Sequence, residues 1–171
     1  MKSWKEILLF VVYIIFILVQ NSHHELWRDE IHSWYIVQSS NSLLDLWNNV
    51  DYEGHPIGWY FILFTAKQFY NGIEVQNIVH LLFTFGLAFL LIFKSPFSFG
   101  LKVLLLFGYF FGYEYAILQR NYTPALFLIT LSVVLYLRKG KTLPYLLLLL
   151  AGFINIHAFI IACLLYIYFL W

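Results

Sequence analysis

Long apolar runs joined by short turns constrain this chain most. The first is Ile7–Val19, and the others occupy 56–70, 75–93, 101–118, 122–137 and 143–170. A bilayer core is about 30 Å thick and takes about 20 helical residues. The chain is 62% hydrophobic and only 11% charged, against about 45–50% and about 25% in soluble domains. So few charges cannot serve a water-facing shell, which predicts lipid around most of the surface and an all-α integral membrane protein. No basic run points to nucleic acid. The single cysteine, Cys163, cannot form an internal disulfide and reads as a buried, inert thiol.

The N-terminal MKSWKE followed by an apolar run resembles a signal peptide, but it lacks small residues suited to cleavage. It therefore reads as an uncleaved first span. Pro56–Phe69 has 14 residues, roughly 21 Å at 1.5 Å per residue, which is short for a crossing. Basic residues settle its place, because short cytoplasmic loops collect them. Lys2 and Lys5 put the N-terminus inside, and Lys94, Lys102, Arg138, Lys139 and Lys141 put two turns inside. The segment 21–74 carries seven acids against Arg28 and Lys67 and belongs outside. If 56–70 crossed, both basic turns would fall outside.

The expected fold is thus about five transmembrane helices, near 6–20, 75–93, 101–118, 122–138 and 143–170. A large first outer loop, 21–74, carries in-plane helices. In that loop Trp27, Ile31, Trp34, Tyr35 and Gln38 form a stripe at helical spacing, with Arg28, Asp29 and His32 beside it. Such a helix lies along a membrane surface. Pro56 suits the first turn of a second short helix. The whole chain, 1–171, reads as a single transmembrane domain.

Three polar clusters share the outer side: Trp27-Arg28-Asp29-Glu30, Asp51-Tyr52-Glu53-Gly54-His55-Pro56, and Glu114 with Gln119-Arg120-Asn121-Tyr122. They admit two readings. In one, the carboxylates are solvated loop charges and Arg28 and Arg120 hold lipid phosphates. In the other, the clusters meet at one rim and form a pocket. That pocket could deprotonate a hydroxyl, hold a divalent metal through Glu53 and His55, or bind a phosphate through Arg120. Spacing alone does not choose among these. His80, Asn155 and His157 lie within spans and read as helix–helix hydrogen-bonding groups. Asn121-Tyr122-Thr123 matches a glycosylation sequon placed against the membrane.

The order of these clusters resembles the glycosyltransferase C superfamily, in particular bacterial members of family 39. That group includes protein O-mannosyltransferases and aminoarabinose–lipid A transferases. The resemblance covers 1–171 and rests on three elements. Arg28-Asp29-Glu30 follows the first span, Glu53-Gly54-His55-Pro56 opens a short helix, and Gln119-Arg120-Asn121-Tyr122 lies between spans three and four. It implies transfer of a sugar from a polyprenyl-phosphate donor to an acceptor hydroxyl, at the outer face of a bacterial inner membrane. On that analogy Asp29, with Glu30, is catalytic, as base or acceptor-site carboxylate. Glu53 and His55 would hold a divalent metal or the acceptor. Arg28, Arg120 and Tyr122 would bind substrate, Arg120 at the donor phosphate. Many members carry an aspartate where this chain has Asn121-Tyr122. Members are also far longer, so the chain resembles an N-terminal half, with a second chain supplying the rest. The competing expectation is a non-catalytic membrane fragment acting as a lipid-binding or assembly subunit. A small transporter would need charges at mid-membrane, whereas these sit at span ends.

Overall fold

The computed structural model describes residues 4–171, and every regular element among them is helical. α1 (Trp4–Asn21) leads into a layer of short helices: α2 (Arg28–Ser39), α3 (Leu43–Val50) and α4 (Gly58–Lys67). Then come α5 (Glu74–Phe93) and α6 (Phe99–Phe107), followed by a π-helical turn (Phe110–Glu114) that runs into α7 (Tyr115–Ile117). α8 (Tyr122–Leu137), α9 (Leu143–Ile154) and α10 (Ile156–Leu170) complete the bundle.

Hydrogen bonds between distant residues fix the two ends of this bundle. At one end Gln76 Nε2 donates to the Glu30 carbonyl, the Gln119 amide donates to the Glu30 carboxylate, and Asn121 pairs with Asn155. At the other end Lys102 Nζ lies 2.6 Å from Glu6 Oε1, and Ser132 Oγ donates to the Pro144 carbonyl. The polar end carries α2–α4. The opposite end carries the basic turns around Lys94–Lys102 and Arg138–Lys141. Lys2, which also entered the expected orientation, lies outside the described residues.

α1 and α5 are long and apolar enough to cross a membrane. A third crossing follows if α6 and the segment Phe110–Ile117, bent by 58°, count as one. α8, α9 and α10 are apolar but shorter, at 16, 12 and 15 residues. One expectation fails here. The run 143–170 is no continuous helix: it folds back at Asn155, so that the Tyr145 hydroxyl donates to the Phe169 carbonyl at 3.0 Å. Asn155 makes the reversal. Its Oδ1 accepts from the amides of His157 and Ala158, capping α10, while its Nδ2 donates to Asn121 Oδ1. A side-chain acceptor at a helix start satisfies donors the helix cannot, and favours a new start over a continued run. Among the described residues the helices that meet the length and apolarity of a crossing thus number two, or three with the bent pair, fewer than the five expected.

The bend at 108–114 is satisfied from outside its own segment. The Tyr13 hydroxyl donates to the Phe111 carbonyl at 2.6 Å and Gln20 Nε2 to the Gly112 carbonyl at 2.8 Å. Backbone groups loosened by a π turn need partners, more so in an apolar setting. α1 supplies them from its one buried face, Leu9, Tyr13 and Ile17, spaced four residues apart. The rest of α1 presents Ile7, Leu8, Val11, Ile15 and Val19 outward.

The short helices build the polar end. Of the expected α2 stripe, Trp27, Ile31 and Tyr35 are exposed, but Trp34 turns inward with Glu30, Ser33 and Val37. α4 packs on that inner face. Lys67 secures the contact, its Nζ donating to the carbonyls of Val37, Gln38 and Ser40 at 2.9–3.0 Å, where a cation complements the end of α2. α3 is opened by Ser42 and Asp45, each bonding the other's backbone amide. α4 begins at Gly58, just after Pro56, and with 10 residues spans only about 15 Å. A side chain at Gly58 would strike the Phe153 carbonyl, so glycine allows α4 to seat against the end of α9.

Candidate functional site

The adjacent carboxylates Asp29 and Glu30 take opposite directions. Glu30 is third in α2 and points into the bundle, with 0% of its surface exposed. Its oxygens accept from the amides of Trp27 and Gln119, both at 2.7 Å, and meet His24 Nε2 at 3.0 and 3.1 Å. This tethers the loop before α2 to the segment 118–121 that carries Arg120. The expected catalytic role of Glu30 is therefore corrected to a structural one: a carboxylate with every face occupied cannot reach a substrate. Arg28 is exposed and lines none of the cavity described next.

Asp29 points the other way. It lines a cavity of about 220 Å³ together with His32, Ser33, Glu53, Gly54, His55, Trp59, Tyr60, Arg120 and Asn121. All three sequence clusters contribute to it. Arg120 Nη1 lies 3.1 Å from Asp29 Oδ2, and the guanidinium also stacks over the Tyr122 ring, 5.3 Å from its centroid. Glu53 is held from two sides: His32 Nε2 is 2.7 Å from Oε1, and the Tyr60 hydroxyl donates to Oε2 at 3.0 Å. Tyr122 stands at the edge, its ring 6.5 Å from that of His55.

The cavity wall holds hydrogen-bonding capacity that the protein does not use. Trp59 is 1% exposed, yet among the described residues its Nε1–H has no partner, and the buried Nδ1 of His55 has none either. A buried polar group without a partner costs about 1–3 kcal/mol; Gln76 Oε1, Gln119 Oε1 and both His80 nitrogens are others among the described residues, outside this cavity. Burial, then the Arg120 charge, lowers the pKa of His55, with Glu53 opposing. Burial and the neighbouring Glu53 raise that of Tyr60, which keeps its proton and donates it.

Glu53 and His55 were expected to hold a divalent metal. Both Glu53 oxygens are engaged by His32 and Tyr60, and among the described residues no group of three or more His, Cys, Asp or Glu could hold a metal.

On the far side of Pro56 an apolar groove of about 610 Å³ runs between α9 and α10, lined by Gly152, Phe153, Phe159, Ala162, Cys163 and Ile167. Cys163 is exposed there rather than buried as expected. Asn121 is buried and bonded to the Ile154 carbonyl and Asn155, so the sequon is not presented for modification in this fold. His80 is fully buried in α5, while the His157 side chain is exposed.

Sequence reasoning missed His32 and Tyr60 as site residues. His32 stands one helical turn after Asp29, and Tyr60 one turn into the helix that follows His55-Pro56. Those spacings, read together, were the available signal. No family model, curated protein or solved structure matches this chain.

Proposed function

We propose that this protein is a membrane glycosyltransferase, or the N-terminal part of one, that moves a sugar from a polyprenyl-phosphate donor to an acceptor hydroxyl. One observation carries the reading: a polar cavity with an arginine, two carboxylates and unused buried donors adjoins a long apolar groove across Pro56. A ligand fitting both parts has an anionic, hydrogen-bonding head and a hydrocarbon tail. A lipid phosphate has that shape, and a sugar attached to it supplies hydroxyls for the remaining donors and acceptors. Arg120 binds the phosphate as a planar, permanently charged donor. Asp29 orients Arg120 and faces the acceptor hydroxyl, and Tyr122 backs the guanidinium.

The bundle sits in a bacterial inner membrane, with the basic end in the cytoplasm and the cavity at the outer face. The apolar residues exposed along α1 and α10 support placement in a membrane, because patches of that extent are unfavourable in water. The short α8–α10 traverse or enter the bilayer beside the long spans. A second chain supplying further helices would seat on the exposed face of α10.

The test is transfer by the full chain in proteoliposomes, using polyprenyl-phosphate glucose, mannose, galactose and aminopentose in turn. Transfer from one of them supports the reading. Binding of polyprenyl phosphate without transfer would instead favour a lipid-binding subunit. Orientation is tested in a Cys163→Ser background: labelling of a cysteine at residue 98 from outside intact cells would reverse it.

A further inference from the structure

We infer that His32, rather than Asp29, takes the proton from the acceptor hydroxyl; this rests on the transferase reading. Asp29 has its charge engaged, with Oδ2 3.1 Å from Arg120 Nη1. That pair commits the Asp29 carboxylate to holding Arg120 in place. Removing that charge would also loosen the residue that holds the phosphate.

His32 is arranged differently. Its Nε2 is 2.7 Å from Glu53 Oε1, and the Tyr60 hydroxyl donates to the other oxygen of the same carboxylate. An ionised carboxylate only accepts hydrogen bonds, so the proton between them sits on Nε2. That leaves the Nδ1 lone pair as the basic atom, and among the described residues only Nε2 of this ring is hydrogen-bonded. The side chain is 53% exposed and lines the cavity that Arg120 and Trp59 also line. A carboxylate that fixes the tautomer of a histidine and stabilises its imidazolium is the arrangement hydrolases use to activate a hydroxyl. The charged and titratable groups around His32 are Asp29 on its own helix, Glu53 and His55 on the loop before α4, Tyr60 on α4, and Arg120 beyond α7.

The step balances without a further reactant. The acceptor oxygen bonds the sugar's anomeric carbon while the bond from that carbon to the phosphate oxygen breaks. The acceptor proton passes to His32 Nδ1. The leaving lipid phosphate keeps the electron pair, and Arg120 holds its charge. His32 then returns the proton to water.

The test uses the full chain in proteoliposomes with the polyprenyl-phosphate hexose that supports transfer. His32→Gln keeps an amide donor for Glu53 but has no base. It should lose about 10²–10⁴-fold in kcat, leave donor KM within about 2-fold, and flatten the acid side of the pH–rate profile. His32→Ala should regain part of its rate with added imidazole. Asp29→Asn should act mainly on donor KM. Melting curves and polyprenyl-phosphate binding identify any variant that fails to fold, and the imidazole rescue then decides. Wild-type kcat in His32→Gln overturns the inference while leaving the transferase reading intact. Loss of the acid limb in Asp29→Asn instead of His32→Gln does the same. A wild-type protein that transfers no sugar at all overturns the transferase reading itself, and this inference with it.

Discussion

Two polar centres lie side by side at the same end of the bundle, and they differ in how their bonds are used. Around Glu30 the carboxylate has both oxygens filled by Trp27, Gln119 and His24, with no exposed surface. Around Asp29 and Glu53 the pairs face an open cavity whose wall retains the unpartnered Trp59 Nε1–H and His55 Nδ1. Both centres are costly near hydrocarbon. A saturated carboxylate holds segments together, whereas an incompletely satisfied wall has capacity left for a ligand. Neighbours in sequence thus take separate places: Glu30 holds the 118–121 segment through the Gln119 amide, and Asp29 meets Arg120 of that segment in the cavity.

The largest effect should come from breaking the saturated centre. Glu30→Leu removes the acceptors of the Trp27 and Gln119 amides, at about 1–3 kcal/mol for each orphaned group. Thermal melts in detergent should show a stability loss of several kcal/mol. Glu53→Gln, measured in parallel, should cost under about 1.5 kcal/mol, since its partners can turn to water in the cavity.

Arg120→Ala comes next. Losing charge-assisted bonds worth about 1.5–3 kcal/mol should weaken polyprenyl-phosphate binding by about 10–100-fold, measured by titration in nanodiscs. Arg120→Lys should recover only part, because it lacks the planar fork. Asn155→Ala should cost about 1–2 kcal/mol through the lost cap and the lost bond to Asn121, read as a lower melting temperature.

The pH response sharpens the contrast further. His55 has its pKa lowered in the folded state by burial and by Arg120. Its contribution to stability is therefore complete above its ordinary value, near 6.5, and is lost as pH falls through the lowered one. A bound phosphate opposes the shift, so binding of polyprenyl phosphate should take up protons and strengthen as pH falls below neutrality. Calorimetry in buffers of different ionisation enthalpy checks the sign, and His55→Gln should abolish the uptake. The smallest effect should be Tyr60→Phe, about 0.5–1.5 kcal/mol for one hydrogen bond to Glu53.

The helices whose burial depends on local pattern were legible in the sequence. The runs 6–20 and 75–93 became Trp4–Asn21 and Glu74–Phe93, and the short helix after His55-Pro56 stands where the proline placed it. Features decided by distant partners were not. Asn155 is one polar residue in a long apolar run; it becomes a reversal because Asn121, 34 positions away, meets it. The bend at 108–114 depends on Tyr13 and Gln20, more than 90 positions away. Asp29 and Glu30 look equivalent until the Gln119 amide, 89 residues on, selects Glu30. Trp34 belongs to the apolar stripe by period, and only the docking of α4 shows that it faces inward. The three clusters could be located from sequence, but the pairing of His32 with Glu53 across 21 residues could not.

The most direct measurement compares Glu30→Gln with Glu53→Gln on the same preparations, recording melting temperature and transfer rate per folded molecule. Glu30→Gln should melt lower and transfer at close to the wild-type rate once corrected for the folded fraction. Glu53→Gln should melt like the wild type and lose most of its transfer. The opposite pattern, a stable but inactive Glu30→Gln beside an active Glu53→Gln, would contradict the division between a structural centre and a reacting one.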